Sequence, residues 1–386
     1  MKPIPYGKQS VSEEDKKAVL EVLDSDFWTQ GPAIYEFEQQ FAQYVNAKYA
    51  LAVANGTAAL HLSALALGVN KETNVIVSPL TFVASANCIR YCGGNVFFAD
   101  INPNTLTLDI EKVEQLILSK PKGFFHGIVP VDFAGKAVNL EDFRKLANQY
   151  GLWILEDSCH APGGYFIDDC NKKHMCGNGN FADLAIFSFH PVKHIACGEG
   201  GMITTNRQEL YQKLLLLRTH GITKNPEQMH ENHGGWYYEM QDLGYNYRMP
   251  DILAALGTSQ LKRADSNLKR RKEIALRYEQ AFKNYAHIEI LPFDEGHAYH
   301  LYVIQTQRRK ELYEYLKTQN IFCQVHYIPV HLQPYYQKLG FEKGSLPIVE
   351  SYYEKCLSLP MYPTLTEDEQ NYVIEKIFTF FDGKAE

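Results

Sequence analysis

Between residues 49 and 205, short apolar runs alternate with helix-period segments, and this alternation constrains the fold more than any other feature of the 386-residue chain. The runs fall at 49–54, 75–79, 96–100, 124–131, 152–156, 184–189 and 202–204, with helical patterns at about 57–67, 81–92, 109–119 and 139–150. A strand that is apolar on both faces must be covered on both faces, so the pattern predicts an α/β fold: a mostly parallel central sheet between layers of helix. Beyond residue 205 helical patterns dominate, and Pro250 opens one that runs toward Tyr278. Strand patterns return at 300–305 and 322–326, with helical ones at 309–318 and 366–380. We therefore expect an N-terminal segment and large domain over 1–245, then linking helices and a smaller α+β domain over 246–386. At the front, Ser12-Glu13-Glu14-Asp15 reads as the cap of an amphipathic helix over 12–24.

Composition removes several functional classes. With 38 Lys+Arg against 45 Asp+Glu, the formal net charge is -7, so a broad cationic surface for nucleic acid or anionic lipid is excluded. Any anionic ligand must be held by a local site. No apolar stretch approaches the roughly 20 residues of a membrane-spanning helix. Eight cysteines are scattered through the chain, and Met1 leads into a polar run without the features of a signal peptide, which leads us to expect reduced thiols and a cytoplasmic location. Neither Cys88 with Cys92 nor Cys170 with Cys176 has the paired short spacing of a structural zinc site, so no metal is expected.

In open parallel sheets, ligands gather at the carboxyl ends of the strands. The first run ends in Asn55-Gly56-Thr57-Ala58-Ala59-Leu60, a small-residue turn into a helix. It reads either as a phosphate cradle of free N–H groups or as a tight turn capped by Thr57. The fifth run ends in Glu156-Asp157-Ser158-Cys159-His160-Ala161, and the sixth in Ser188-Phe189-His190-Pro191-Val192-Lys193. A lysine held after a buried strand can be desolvated and act as a Schiff-base nucleophile. By contrast, Gly177-Asn178-Gly179-Asn180-Phe181-Ala182 fits G-x-G-x-x-A but leads into an apolar run rather than a helix, so it is read as a surface excursion and not a dinucleotide loop. Together, a phosphate-ready helix start, an acid at a strand end and Lys193 describe what pyridoxal 5'-phosphate requires: an imine partner, a carboxylate against the pyridine nitrogen, and phosphate ligands at Ser188 and the 56–58 turn. Phe82, just after the second run, reads as a ring-stacking aromatic or as core.

The ordered set of these motifs resembles the DegT/DnrJ/EryC1/StrS sugar aminotransferases, which have the fold of the type I pyridoxal phosphate-dependent transferases. The resemblance extends to Thr29-Gln30-Gly31-Pro32, Gly198-Glu199-Gly200-Gly201, Arg218-Thr219-His220-Gly221, Gly244-Tyr245-Asn246-Tyr247-Arg248-Met249 and Gln324-Val325-His326-Tyr327. It implies that Lys193 and Asp157 are catalytic. Cofactor binding would fall to these two with Gly56, Thr57, Ala58, Phe82, His160, Ser188 and Asn246, the last reaching the phosphate in a neighbouring subunit of a homodimer with shared active sites. Many relatives have Gln where this chain has His160. Gln30, His190, His326, Tyr327 and His331 are the implied substrate contacts, although on the sequence alone Tyr327 reads as core and His326 and His331 as surface. Within the family, the stretches 187–193 and 321–330 look most like the branch acting in pseudaminic acid biosynthesis. This implies glutamate as donor and a UDP-linked 2-acetamido-2,6-dideoxy-4-keto-hexose as acceptor. Related dehydratases carry histidine at the position of Lys193, so the lysine disfavours that chemistry, and the intact Lys193, Asp157 and Ser188 disfavour a non-catalytic relative.

Overall fold

The computed structural model describes residues 2–383. In it the alternating segment forms a seven-stranded sheet. Its strands in chain order are β1 (Tyr49–Val53), β2 (Asn74–Val77), β3 (Asn95–Phe98), β4 (Gly127–Val129), β5 (Trp153–Asp157), β6 (Leu184–Ser188) and β7 (Gly201–Thr205). They lie side by side in the order β1-β7-β6-β5-β4-β2-β3. The pairings of β2 through β6 are parallel, whereas β7 runs antiparallel to both β6 and β1. The reversal has a simple cause: no helix separates β6 from β7, and parallel neighbours need a crossover of a dozen or more residues, usually a helix.

Both faces of the sheet are buried, as the continuous apolar runs require. In β5, Ile154 joins a core with Ile76, Ile128 and Phe143, while its neighbour Leu155 joins the opposite core with Val53, Val129 and Ile186. In β6, Ile186 and Phe187 are divided in the same way, with Phe187 packed among Phe41, Ala52 and Met202. Each such side chain contributes about 1.5–3 kcal/mol by leaving water. Helices Gly56–Ala66, Ala84–Tyr91, Ile110–Leu118 and Leu140–Tyr150 supply the covering layers, at the positions where the 3.6-residue period appeared.

The C-terminal part carries a three-stranded antiparallel sheet of Glu289–Ile290, Tyr302–Gln305 and Cys356–Leu359. The strand expected at 322–326 shrinks to Ile321–Phe322, which pairs in parallel with Ile4–Pro5 near the other end of the chain. Met249, Ala254, Leu261 and Ala264 pack with Phe37 and Phe189 beneath the large sheet, whereas Ile274, Tyr278 and Phe282 belong to the C-terminal core. Helix Ala264–Phe282 thus spans both packings. The N-terminal helix Glu13–Leu23 has the expected capping box, made by Ser12 and Asp15. Buried Asp15 also accepts bonds from Ser259 (2.6 Å), Gln260 (2.8 Å) and Arg263 (2.9 and 3.0 Å), which fastens this helix to the linking helices. Among the described residues, no helix is long and apolar enough to cross a membrane.

Candidate active site

Neighbouring parallel strands β5 and β6 end at Asp157 and Ser188, with Asp157 paired to Ile186. Asp157 is 5% exposed. Its Oδ2 accepts the Ser85 hydroxyl at 2.6 Å and its Oδ1 the Cys159 N–H at 3.1 Å. Because Ser85 gives its proton to the carboxylate, the 2.7 Å contact between Thr81 Oγ1 and Ser85 Oγ has Thr81 as donor.

Beside Ser188 lies the start of helix Gly56–Ala66. Asn55, not Thr57, is its cap: Asn55 Oδ1 accepts the Ala58 N–H at 2.8 Å. The N–H groups of Gly56 and Thr57 have no partner among the described residues and stand at the positive end of the helix dipole. A Cβ at Gly56 would lie 2.9 Å from Ser188 Cβ and 3.2 Å from its Oγ, and one at Gly201 would lie 2.5 Å from the Asn55 carbonyl oxygen. Only glycines let the helix start close onto the serine, and the result is a cradle of two free amides and a hydroxyl.

Lys193 follows Ser188 by a short loop and keeps partial exposure. Burial of the ammonium pushes its pKa down, opposed by the nearby Cys159 thiol and Asp157 carboxyl. The charge of Lys193 in turn depresses His160, His194, His300 and His326, all of them lowered chiefly by burial, His326 to about 3. His160 is fixed as one tautomer. Its Nδ1 accepts the Ala134 N–H at 3.2 Å, so Nε2 carries the hydrogen and donates to the Tyr327 hydroxyl, also at 3.2 Å. The two rings stack at 6.1 Å, and Phe82, 59% exposed, stands 6.3 Å from Tyr327.

Asp157, Lys193, His160, His326, Tyr327 and Phe82 therefore converge at the ends of β5 and β6, next to the cradle of Gly56, Thr57, Ala58 and Ser188. The other expected contacts behave differently. His190, Gln30 and Asn246 are exposed, and their side chains hydrogen-bond nothing among the described residues. His331 is fully buried: its Nε2 meets Glu350 at 3.0 Å and its ring packs near Phe98. It closes the 344–350 segment onto the body of the protein, where a substrate contact was expected. The sequence reading missed Thr81, Ser85, His194 and His300. For Ser85 a signal existed, since it lies three residues after Phe82 at the start of the same helix. Nothing local marks His300, which arrives from the C-terminal part.

On the opposite face of β5, Glu156 is 2% exposed beside buried Asp132 and Cys176, all three within 4.8 Å of one another. This is the one cluster of three metal-capable side chains among the described residues. Its oxygens are already engaged by donors: both of Glu156 by the Gly177 N–H (3.0 and 3.1 Å), and those of Asp132 by Val138 N–H (2.9 Å) and Ser158 hydroxyl (2.7 Å). Burial, reinforced by the charge of Asp132, raises Glu156 well above the carboxylate range, and burial pushes Asp132 up to about 6. Gly177, from the sequence that mimics a dinucleotide loop, thus serves as a donor to this pair.

The cleft fits pyridoxal phosphate on its own geometry. Two unpaired amides and Ser188 suit a phosphate, a carboxylate with two fixed donors suits a protonated ring nitrogen, and a desolvated lysine suits an imine partner. Comparisons with known proteins agree. The model of the DegT/DnrJ/EryC1/StrS aminotransferase family matches residues 9–378. The spore coat polysaccharide biosynthesis protein SpsC of Bacillus subtilis is 40% identical over 98% of this chain and 97% of its own. The UDP-4-amino-4,6-dideoxy-N-acetyl-beta-L-altrosamine transaminase of Campylobacter jejuni is 35% identical, with 98% of each chain covered. Among solved structures, Helicobacter pylori PseC, an aminotransferase of pseudaminic acid biosynthesis, superposes with a TM-score of 0.89 at 33% identity, covering 99% of this chain and 100% of its own. Sugar aminotransferase Spr1654 of Streptococcus pneumoniae, solved in its PLP form, superposes with a TM-score of 0.88 at 27% identity and covers 100% of both chains. With Lys193, Asp157 and the phosphate cradle in place, the chain belongs to the DegT/DnrJ/EryC1/StrS aminotransferase family and is a pyridoxal phosphate-dependent sugar aminotransferase.

Proposed function

We propose that this enzyme transfers an amino group from glutamate to C4 of a UDP-linked 2-acetamido-2,6-dideoxy-4-keto-hexose, the amination step of pseudaminic acid biosynthesis. The observation that carries the transaminase chemistry is the desolvated Lys193 amine beside Asp157, at the strand ends that flank the phosphate cradle. The substrate assignment draws support from the Campylobacter and Helicobacter relatives, whose names state this chemistry or pathway. The 40% identity to SpsC favours a second reading, a different nucleotide-4-keto-sugar bound for a surface polysaccharide.

When bound, pyridoxal phosphate supplies an electron sink for the carbanion formed at the amino-bearing carbon. The protein does the rest. Gly56, Thr57, Ala58 and Ser188 hold the phosphate, with Asn246 of the partner subunit completing the site in a homodimer. Phe82 and His160 flank the ring, and Asp157 keeps a proton on its nitrogen. Lys193, its pKa lowered by burial, takes the proton from Cα of glutamate and later delivers one to C4 of the sugar. Gln30, His190, His326 and Tyr327 face the nucleotide sugar. The reaction is placed in the cytoplasm, in keeping with eight free thiols.

A panel of UDP-, dTDP- and GDP-linked 4-keto-sugars with glutamate tests this, following 2-oxoglutarate release and C4 stereochemistry. Preferred turnover of the UDP-2-acetamido sugar supports the first reading, and preference for another sugar supports the second. Absence of both turnover and a borohydride-sensitive visible band with added pyridoxal phosphate would point instead to a non-catalytic relative.

A further inference from the structure

We propose that Ser85, backed by Thr81, is a positioning residue for the reaction: its hydroxyl locks the Asp157 carboxylate in the orientation that the cofactor's ring nitrogen requires. The inference rests on the proposed function and concerns only how this chain prepares Asp157.

Three observations carry it. First, the contact between Ser85 Oγ and Asp157 Oδ2, 2.6 Å, is among the shorter hydrogen bonds at the site, and it lies out of water, with Ser85 1% and Asp157 5% exposed. Hydrogen bonds to an ionised acceptor in such surroundings are short and strong. Second, the direction of donation is fixed by what surrounds the serine. Thr81, 3% exposed, contacts Ser85 Oγ at 2.7 Å. With its one proton committed to Asp157, Ser85 must accept here, so Thr81→Ser85→Asp157 is a one-way relay that ends on the carboxylate. Third, Oδ1 is held separately by the Cys159 N–H at 3.1 Å. Two donors on two oxygens from two elements fix the carboxylate plane and present it as an acceptor to a ring N–H.

The geometry also explains why Ser85 stands where it does. The second strand β2 ends at Val77, and the segment that follows puts Phe82 over the cleft and Ser85 beneath it, one turn later at the start of helix Ala84–Tyr91. One short stretch thus governs both the face of the ring and the far end of its electron sink. Ser85 is not assigned contact with cofactor or substrate, and its influence passes through Asp157.

The test uses full-length protein and compares wild type, Ser85→Ala, Ser85→Thr and Thr81→Val. For each variant the measurements are affinity of the apoprotein for pyridoxal phosphate, pH titration of the bound cofactor's visible band, kcat and KM for glutamate, and Tm. Ser85→Ala is expected to weaken pyridoxal phosphate binding about 10- to 100-fold, to shift the titration of the band, and to lower kcat with KM for glutamate changed less than about threefold. Ser85→Thr should restore most of the loss. Thr81→Val, which leaves the Ser85–Asp157 bond in place, should produce the same changes at a few-fold level, and it serves as the probe if Ser85→Ala does not fold. Placed in an Asp157→Asn background, Ser85→Ala should cost little more, because the two act as one unit. Variants that lower Tm while leaving affinity and band titration at wild-type values would overturn the inference. A wild-type protein that forms no borohydride-sensitive band would instead overturn the proposed function on which the inference stands.

Discussion

Glu156 and Asp157 are consecutive residues of one strand, both acidic and both at most 5% exposed, yet they live in opposite chemical worlds. Side chains alternate across a strand, so one carboxyl faces the cleft and the other the packed back of the sheet. In the cleft, Asp157 meets only donors, the Ser85 hydroxyl and the Cys159 N–H, and lies near the Lys193 ammonium. Behind the strand, Glu156 meets a second carboxyl, Asp132, and the two are desolvated together, which raises both above the ordinary carboxylate range. Carboxyls one residue apart thus meet hydroxyl and amide donors on one face of the strand and a second carboxyl on the other. The neighbours that decide this come from distant parts of the chain: Ser85 after β2, Asp132 after β4 and Gly177 before β6.

The largest expected effect is on the cleft side. Lys193→Ala should lower turnover about a thousandfold or more while pyridoxal phosphate still binds noncovalently, as seen by equilibrium dialysis; appreciable transamination by this variant would remove Lys193 from its role. Asp157→Asn should cost about 100-fold or more in kcat, with a Tm close to wild type.

Glu156→Ala should do the reverse. It strips Asp132 and the Gly177 N–H of a buried partner, so a loss of about 3 kcal/mol in unfolding free energy is expected, with kcat per folded molecule changed less than about threefold. If denaturant melts showed equal stability, the brace would be unimportant. A smaller effect is expected for His160→Gln, which replaces the tautomer-fixed donor to Tyr327 by an amide capable of the same bond. Steady-state kinetics should show a change of less than about tenfold, the scale of one neutral hydrogen bond.

The smallest effect is a pH slope. In the folded chain the Asp132–Glu156 pair holds protons more tightly than in the unfolded chain, where ordinary carboxyls release them near pH 4. Between about pH 4 and the raised folded values, which begin at about 6 for Asp132, the folded state binds more protons, so stability falls as pH rises through that window. Glu156→Gln, which is neutral at every pH, should flatten this part of the stability profile in chemical melts from pH 5 to 8. A profile parallel to wild type would show that the pair is not the source of the slope.

Much of this was legible from residue order. The capping box at Ser12, the strands of the large sheet and the helices between them follow from local periodicity, and the strand-end residues Asp157, Ser188 and Lys193 stand out once ligands are sought at carboxyl ends. Cys356–Leu359 was missed because four residues directly following helix Pro347–Lys355 carry no turn signal and no countable alternation. The strand predicted at 322–326 is broken into the Ile321–Phe322 pairing and a single antiparallel bridge from Gln324 to Ser358, which a sequence pattern cannot distinguish from a continuous ladder. His331 entered the expected site through the family resemblance, and only three-dimensional packing shows it turned inward to Glu350.

By itself, then, the sequence determined the layered α/β plan, the family and the candidate residues at the strand ends. Hydrophobic periodicity and strand-end placement are properties of near neighbours along the chain. Tertiary structure alone decided the surroundings and orientation of those residues: which carboxyl is paired with hydroxyl and amide donors and which with another carboxyl, which tautomer His160 holds, and which glycine closes onto Ser188. Desolvation, hydrogen bonding and charge proximity act over a few ångströms in space, and the groups that exert them lie tens to more than a hundred residues apart in the chain.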